Sequence, residues 1–434
     1  MIDPSDVPLG GSDGIEGSRP DLRRSTLDGT RRTTRRDFLR RLGAGAVLAA
    51  AGCAIDRRSR ESEPHPLPTL ASEGATPARS AMHPWCGFNL LEKFRAERQG
   101  PFVERDFEWM AQLKFDFARL PMDYRSWTDS VDPERVDDKV LADIDQAIDW
   151  GKGYGVHVNL NLHRAPGYCV SPPAEPLDLW TSSLAQEQFV GQWRRFAERY
   201  RGIPSERLSF NLLNEPKGME ESGYVRVMEF AIEAIRAADP MRLIVVDGLR
   251  YGRNPVPSLV VTGVAQSTRG YDPMEISHYR ASWIGESDLW PEPTWPLGSN
   301  DPDGGRKNRW DRKRYRAERI RPWKELEDRG VGVHVGEWGC FNRTPHAIAL
   351  AWMRDLLALW REAGWGWALW NLRGPFGIVD SGRRDVAYER FDGHDLDRAM
   401  LALLLEDGEL RQQPRRHPPG AAAWARAGGT RIIG

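Results

Sequence analysis

Two stretches of this sequence end an apolar run on a carboxylate. Leu208 to Pro216, LSFNLLNEP, closes on Asn214, Glu215 and Pro216, and Val333 to Gly339, VHVGEWG, delivers Glu337 near its end. Side chains alternate faces along an extended chain, so Ser209, Asn211, Leu213 and Glu215 share one face while Leu208, Phe210 and Leu212 share the other. One face can pack on helices while the other looks inward. A pair of carboxylates on two strand ends is the equipment of glycosidic-bond hydrolysis: one group donates and recovers a proton while the other attacks, or activates water, across the sugar ring.

The rest of the chain must position that pair. From Trp85 onward, short apolar runs alternate with helical patterns. The expected strands are Gly87 to Leu91, Phe115 to Leu120, Val156 to His163, Leu208 to Glu215, Arg242 to Gly248, Met274 to Tyr279, Val331 to Trp338 and Gly366 to Leu372. Helical spacing of apolar residues is clearest over Lys139 to Tyr154, Ala185 to Arg201, Tyr224 to Ala238 and Ala347 to Ala363. Pro255 and Pro257 weaken the helix after the fifth strand. Eight strand–helix alternations predict an α/β fold, a (β/α)8 TIM barrel with elaborated βα loops and its chemistry at the C-terminal strand ends. An open doubly wound sheet is the alternative, but no GxGxxG follows any strand. The longest connection, Arg280 to Arg316, carries Trp283, Trp290, Trp295 and Trp310. It is expected to form one wall of a cleft or to pack as a surface insertion.

Composition narrows the partner. A formal charge of −1 over 434 residues, with no basic stripe of stacking aromatics, argues against nucleic acid. Eighteen Trp suit a neutral carbohydrate, although most Trp residues are core. Cys53, Cys86, Cys169 and Cys340 have no zinc-site spacing, so no structural metal is expected. Near the N-terminus, Thr34-Arg35-Arg36-Asp37-Phe38-Leu39 precedes a weakly apolar run, Leu42 to Gly52, too short for an ordinary membrane span. This resembles a signal for the twin-arginine export machinery. Ala50-Ala51-Gly52-Cys53 resembles a lipoprotein cleavage box, which would make Cys53 a lipid anchor to the membrane. The expected organisation is a signal region over 1–53, a Pro-rich tether over 54–84, the catalytic body over 85–406 and a surface tail over 407–434. Beyond Cys53 the chain has 52 basic and 55 acidic residues, a faintly acidic body. Localisation is expected to be periplasmic, membrane-anchored or secreted.

Each strand end is a possible wall of one site. Arg119, at the end of FDFARLP, is a guanidinium in an apolar strand and needs a carboxylate, because an unpaired buried charge costs several kcal/mol. Glu337 is its expected partner, a pairing that would hold that carboxyl ionised. On the third strand His157, Asn159, Asn161 and His163 share the inward face. His163 is the one expected to meet substrate or a catalytic carboxylate, and His157 reads as a core residue. Trp370, at the end of WGWALWN, is a candidate floor for the sugar.

Arg119-Leu120-Pro121, His163, Asn214-Glu215-Pro216, His278 and Gly336-Glu337-Trp338-Gly339, in this order, resemble glycoside hydrolase family 5, the cellulase-like retaining enzymes, over Trp85 to Leu405. The resemblance implies a (β/α)8 barrel, Glu215 as acid/base on strand four, Glu337 as nucleophile on strand seven, and no metal or organic cofactor. It further implies that Asn214 binds the sugar 2-hydroxyl, that Arg119, His163 and His278 support the pair, and that Trp370 is the aromatic platform. The family pattern His-x-Tyr on strand six is broken, because Arg280 stands two residues after His278. Either Tyr279 or Arg280 takes the role, or the support is absent. The implied activity is cleavage of β-1,4-glucan, with β-mannan, β-1,3-glucan or a glycolipid head group as alternatives. A barrel that binds carbohydrate without turnover is the alternative of another class.

Overall fold

The computed structural model describes residues 82–129, 135–298 and 309–412. The signal region, Cys53 and most of the tether lie outside these residues.

Eight parallel strands close on themselves. They are β1 (Cys86–Asn89), β2 (Phe117–Asp123), β3 (His157–Ala165), β4 (Leu208–Asn211), β5 (Leu243–Asp247), β6 (Ala265–Gly270), β7 (Val333–Trp338) and β8 (Gly366–Leu369). Each pairs with the next, and β8 pairs with β1 through Cys86↔Trp367 and Phe88↔Leu369. Closure leaves no barrel edge unpaired. The expected TIM barrel is therefore the fold.

Helices α1 (Glu104–Gln112), α2 (Asp138–Tyr154), α3 (Ser183–Arg199), α4 (Glu221–Ala238), α5 (Arg321–Glu327), α6 (His346–Ala363) and α7 (Arg398–Gln412) surround it. Local chemistry sets their ends. The Asp137 carboxylate caps α2 by accepting from the Lys139 amide at 2.9 Å, and α2 stops at Gly155, whose φ of +74° suits a residue without Cβ. Ser182 caps α3 through the Ala185 amide. The buried faces of α2 (Leu141, Ile144, Ala147, Ile148) and α4 (Tyr224, Val227, Met228, Ala231) follow the three-and-four spacing and pack on the outward side chains of the strands.

Several boundaries move. Strands β2 and β3 run past their expected ends, to Asp123 and Ala165, whereas β4 stops at Asn211 and leaves Glu215 on the loop beyond it. The surface tail does not begin at 407. Helix α7 continues to Gln412, and buried Asp407 accepts from Arg361 and from the Trp367 indole.

The larger correction concerns strand six. Met274 to Tyr279 is not a strand: Met274–Ser277 is a helical turn and His278 caps it. The sixth strand is Ala265–Gly270, AQSTRG, fully buried although mostly polar. Its polar groups are satisfied inside. Gln266 bonds both backbone groups of Val256, the Thr268 hydroxyl donates to the Gly252 carbonyl, and Arg269 meets the carboxylates described below. A strand with that inventory has no hydrophobic signature, while MEISHY does.

Candidate active site

The interior of the barrel's C-terminal half is a hydrogen-bonded network rather than an apolar plug. Arg119 is its hub. From β2, buried to 1 % exposure, its Nε donates to Asn211 Oδ1 at 3.0 Å, Nη1 to Asn89 Oδ1 at 2.9 Å and to Glu337 Oε1 at 2.7 Å, and Nη2 to Asn214 Oδ1 at 2.8 Å. The expected Arg119–Glu337 pair is present, and the remaining donors of the guanidinium are used as well. Asn89, the inward residue of β1, is fixed in turn by donating to the carbonyls of Gly336 and Leu369.

A second guanidinium, Arg269 on β6, underlies both carboxylates. Its Nε donates to Glu215 Oε1 at 3.1 Å, while Nη2 lies 3.4 Å from Glu337 Oε1 and donates to Asn214 Oδ1 at 2.8 Å. Nη2 also donates to Asp247, a fully buried carboxylate at the end of β5. Space for this side chain exists because residue 336 is glycine: a Cβ there would sit 2.4 Å from Ser267 Oγ and 2.9 Å from Arg269 Nη1.

Asp247 also places Glu215. The Glu215 amide donates to Asp247 Oδ2 at 2.9 Å, and the Tyr168 hydroxyl donates to the Glu215 carbonyl at 2.7 Å while accepting from the Lys217 amide at 3.0 Å. These bonds hold Glu215 at φ +48°, a left-handed conformation that costs a non-glycine residue about 1–3 kcal/mol. The strained backbone turns the carboxyl into the cleft.

Two carboxyl groups now differ in surroundings. Glu337 accepts from Arg119 on one oxygen and from the Tyr271 hydroxyl, at 3.3 Å, on the other. Glu215 has one long contact to Arg269. Burial, followed by the negative charge of Glu337, pushes its carboxyl up to about 7 from the ordinary 4.5, against the opposing pull of Arg269.

Tyr271 corrects the reading of Tyr279 and Arg280. Tyr279 is buried away from the cleft lining, and Arg280 is exposed with its guanidinium over the Tyr279 ring. The tyrosine that holds Glu337 comes two residues after Arg269, so the pattern is Arg-x-Tyr rather than His-x-Tyr. His278 lines the cleft and packs edge-on against Tyr271 at 5.0 Å between ring centres, with its Nδ1 on Ser277 Oγ. Burial pushes the His278 imidazolium down to about 3, so the ring is neutral. The ground for a barrel that lacks this support is removed.

The other expected residues also converge. Asn214 Oδ1 is taken by both arginines, so its amide group points at His163 Nε2, 3.3 Å away. His163 is held neutral by burial and by the nearby arginines. His157 is core: it stacks on Trp85 and bonds Ser209. Trp370 lines the cleft beside Phe94 and His163. Of the four Trp in the long connection, Trp283 lines the cleft; Trp295 reaches Asp355 on α6, and Trp310 packs under Arg314.

The cleft has a volume of about 550 Å³ and opens at the C-terminal strand ends. Glu215, Arg269 and Glu337 form its floor, and Phe94, Tyr251, Tyr271, Trp283, Trp370 and Phe376 give it aromatic walls. Arg269, Asp247, Tyr271 and Tyr168 had escaped the sequence reading. Arg-x-Tyr sixty-eight residues before Glu337 offers no pattern of its own; the available signal was a charged residue in an otherwise small, polar run.

Comparison with known proteins agrees with this geometry. The profile of the cellulase family (glycosyl hydrolase family 5) matches residues 100–374. Endoglucanase C of Acetivibrio thermocellus is 25 % identical over 323 residues, 68 % of this chain and 92 % of that protein. A solved structure described as a glycoside hydrolase is 40 % identical with a TM-score of 0.70, covering 74 % of this chain and 99 % of that one. Endoglucanase Cel5A from Thermotoga maritima, at 20 % identity and a TM-score of 0.60 over 74 % of this chain and 96 % of its own, shares the fold. The chain belongs to the cellulase family, glycoside hydrolase family 5, and is a retaining glycosidase.

Proposed function

We propose that the chain hydrolyses β-1,4-linked glucan by double displacement, with Glu337 as nucleophile and Glu215 as acid/base. The observation that carries this reading is the contrast between the two carboxyls over one guanidinium. Glu337 is hydrogen-bonded by Arg119 and by the Tyr271 hydroxyl, while burial and the charge of Glu337 raise the Glu215 carboxyl to about 7. In the first half-reaction Glu337 attacks the anomeric carbon, Glu215 protonates the departing oxygen, and a glycosyl ester forms on Glu337. Burial still raises Glu215, but esterification removes the added push from the negative charge of Glu337, so the carboxylate left after proton donation can take a proton from water. That water then attacks the anomeric carbon and releases Glu337, restoring both groups.

Asn214 is assigned the sugar 2-hydroxyl, through the amide hydrogen that does not face His163, a contact that strengthens as the transition state forms. Arg119, His163 and His278 keep the pair and its neighbours in place, and Trp370 offers its face to the sugar ring. Cellulose-type substrates follow from relatives named as endoglucanases and a cellodextrinase. β-Mannan is the second reading, since Thermotoga maritima Cel5A has been solved with mannotriose as well as with cellobiose. Export by the twin-arginine route and lipidation at Cys53 belong to the same proposal and would place the enzyme at the cell envelope. The test is incubation of the body with β-1,4-glucan, β-mannan and β-1,3-glucan oligosaccharides beside Glu337→Gln. Cleavage of the glucan by wild type alone supports the reading; turnover by the variant at the wild-type rate would sink it.

A further inference from the structure

Three consecutive residues in the turn after β5, Arg250, Tyr251 and Gly252, take φ of +53°, +63° and +72°. Glycine suits that region, whereas two side-chain-bearing residues in a row are strained there. Neighbouring groups hold the turn in place. The Leu249 and Asn254 amides each donate to the other residue's carbonyl, at 2.8 and 3.0 Å, and the Thr268 hydroxyl donates to the Gly252 carbonyl at 3.0 Å. The Tyr251 amide donates to the Pro216 carbonyl at 3.3 Å, which ties the turn to the loop that carries Glu215. The result of this strain is placement: Tyr251, 39 % exposed, is set into the lining of the cleft.

Two cations of the cleft lining lie over that ring, Lys217 Nζ at 5.1 Å and the Arg253 guanidinium carbon at 5.8 Å from its centre. Arg253 is engaged, with Nε 3.0 Å and Nη2 3.1 Å from the Asp272 carboxylate. The ammonium of Lys217 has neither a hydrogen bond nor an ion pair among the described residues. The other charges of the lining are balanced: Glu215 and Glu337 by Arg269 and Arg119, Asp272 by Arg253 and Arg319. Lys217 is the cation left over. Its place along the cleft follows from Glu215, whose carboxyl delivers a proton to the departing oxygen. The Lys217 amide donates at 3.0 Å to the same Tyr168 hydroxyl that holds the Glu215 carbonyl at 2.7 Å, so acid and ammonium ride on one clamped loop. In the closed ring of eight strands, β4 and β5 stand opposite β8 and β1. Lys217 and Tyr251 therefore face the leaving group, across the cleft from Trp370 and Phe94.

We infer that Lys217, seated on Tyr251, is a specificity residue for the leaving group and selects a glycan that carries an anionic substituent, such as a C6 carboxylate, beyond the bond being cleaved. The inference rests on the hydrolase reading of the cleft and narrows its substrate class to an acid-modified β-glucan. A free oxyanion such as phosphate offers the ammonium the same chemistry but would act as an inhibitor rather than as part of the substrate.

The test compares kcat/KM of the full chain on three sugars: cellotriose, cellotriose with a C6 carboxylate on its reducing-end unit, and cellotriose with that carboxylate on its non-reducing-end unit. Whichever bond is cut, only the reducing-end acid leaves with the departing sugar. Wild type is expected to favour it over neutral cellotriose by about fivefold in low-salt buffer, the upper scale of a part-exposed ion pair. The preference should fade as salt is added. Lys217→Gln should lose it, Lys217→Glu should reverse it and Lys217→Arg should retain it. Each preference is a ratio within one variant, so a general loss of activity cancels, and the wild-type comparison of the two acidic sugars needs no variant to fold. Equal kcat/KM on the acidic and neutral sugars, a preference for the non-reducing-end acid, or a preference that survives Lys217→Gln would overturn the inference and leave the hydrolase standing. Turnover of none of the three would sink the cleft reading and the inference with it. Inorganic phosphate is added to the neutral assay as a further arm. Inhibition that disappears in Lys217→Gln, without any preference among the sugars, would assign the ammonium to a free anion and overturn the substrate-borne reading.

Discussion

Glu215→Gln should make the protein more stable at pH 8 and no more stable at pH 4. The sign follows from the direction of the shift. Burial and the charge of Glu337 raise the Glu215 carboxyl from 4.5 to about 7 in the folded protein. Below pH 4.5 the group is protonated whether the chain is folded or not, and it has no effect on stability. Between 4.5 and about 7 the unfolded chain ionises first, so stability falls as the pH rises, and above 7 the loss is complete. At about 1.4 kcal/mol per pH unit the loss approaches roughly 3 kcal/mol. Glutamine mimics the protonated acid at every pH and removes this cost. Urea unfolding of wild type and Glu215→Gln across pH 4 to 8 measures the difference directly. Glu92, also raised to about 7 by burial and by Asp106, adds a parallel slope to both proteins and cancels in the comparison. The same group sets the alkaline limb of kcat/KM, expected near pH 7, because the first half-reaction needs Glu215 protonated. A stability difference that stays constant from pH 4 to 8 would refute the argument that this carboxyl is held protonated by its surroundings.

Two further outcomes follow from the floor of the cleft. Arg269→Met leaves Asp247 buried without its cation and should cost about 3–5 kcal/mol in urea unfolding. It should also move the alkaline limb upward by about one pH unit, because Arg269 lowers the Glu215 carboxyl; Arg269→Lys should recover most of the stability, and a Met variant with unaltered stability and limb would show that Arg269 holds nothing. Tyr271→Phe removes the hydroxyl on Glu337 Oε2 and should lower kcat/KM about tenfold, the scale of one hydrogen bond to a charged acceptor, with an unaltered circular dichroism spectrum. Tyr279→Phe serves as its control, and a larger loss there would return the supporting role to Tyr279.

The sequence by itself determined the elements that have a local signal. Alternating polar and apolar residues in β3 and β4 marked which face looks inward, and NEP and GEWG marked where the carboxylates stand. The need of a buried guanidinium for a counter-charge was enough to pair Arg119 with Glu337 across 218 residues. The tertiary structure alone decided strand six. AQSTRG reads as loop because its polar side chains find their partners only after the barrel closes, on Val256, Gly252, Asp247, Glu215 and Asn214. MEISHY has the hydropathy of a strand but is a helical turn and cap, and its histidine acts on Tyr271 by packing. Asp247 had the same invisibility: at the end of an apolar strand it could be a cap, a turn residue or a ligand, until the neighbouring strands brought Arg269 and the Glu215 amide to it. Hydropathy reports the average environment of a side chain. A buried polar network depends on which particular groups meet, and that is fixed by strand register and barrel closure.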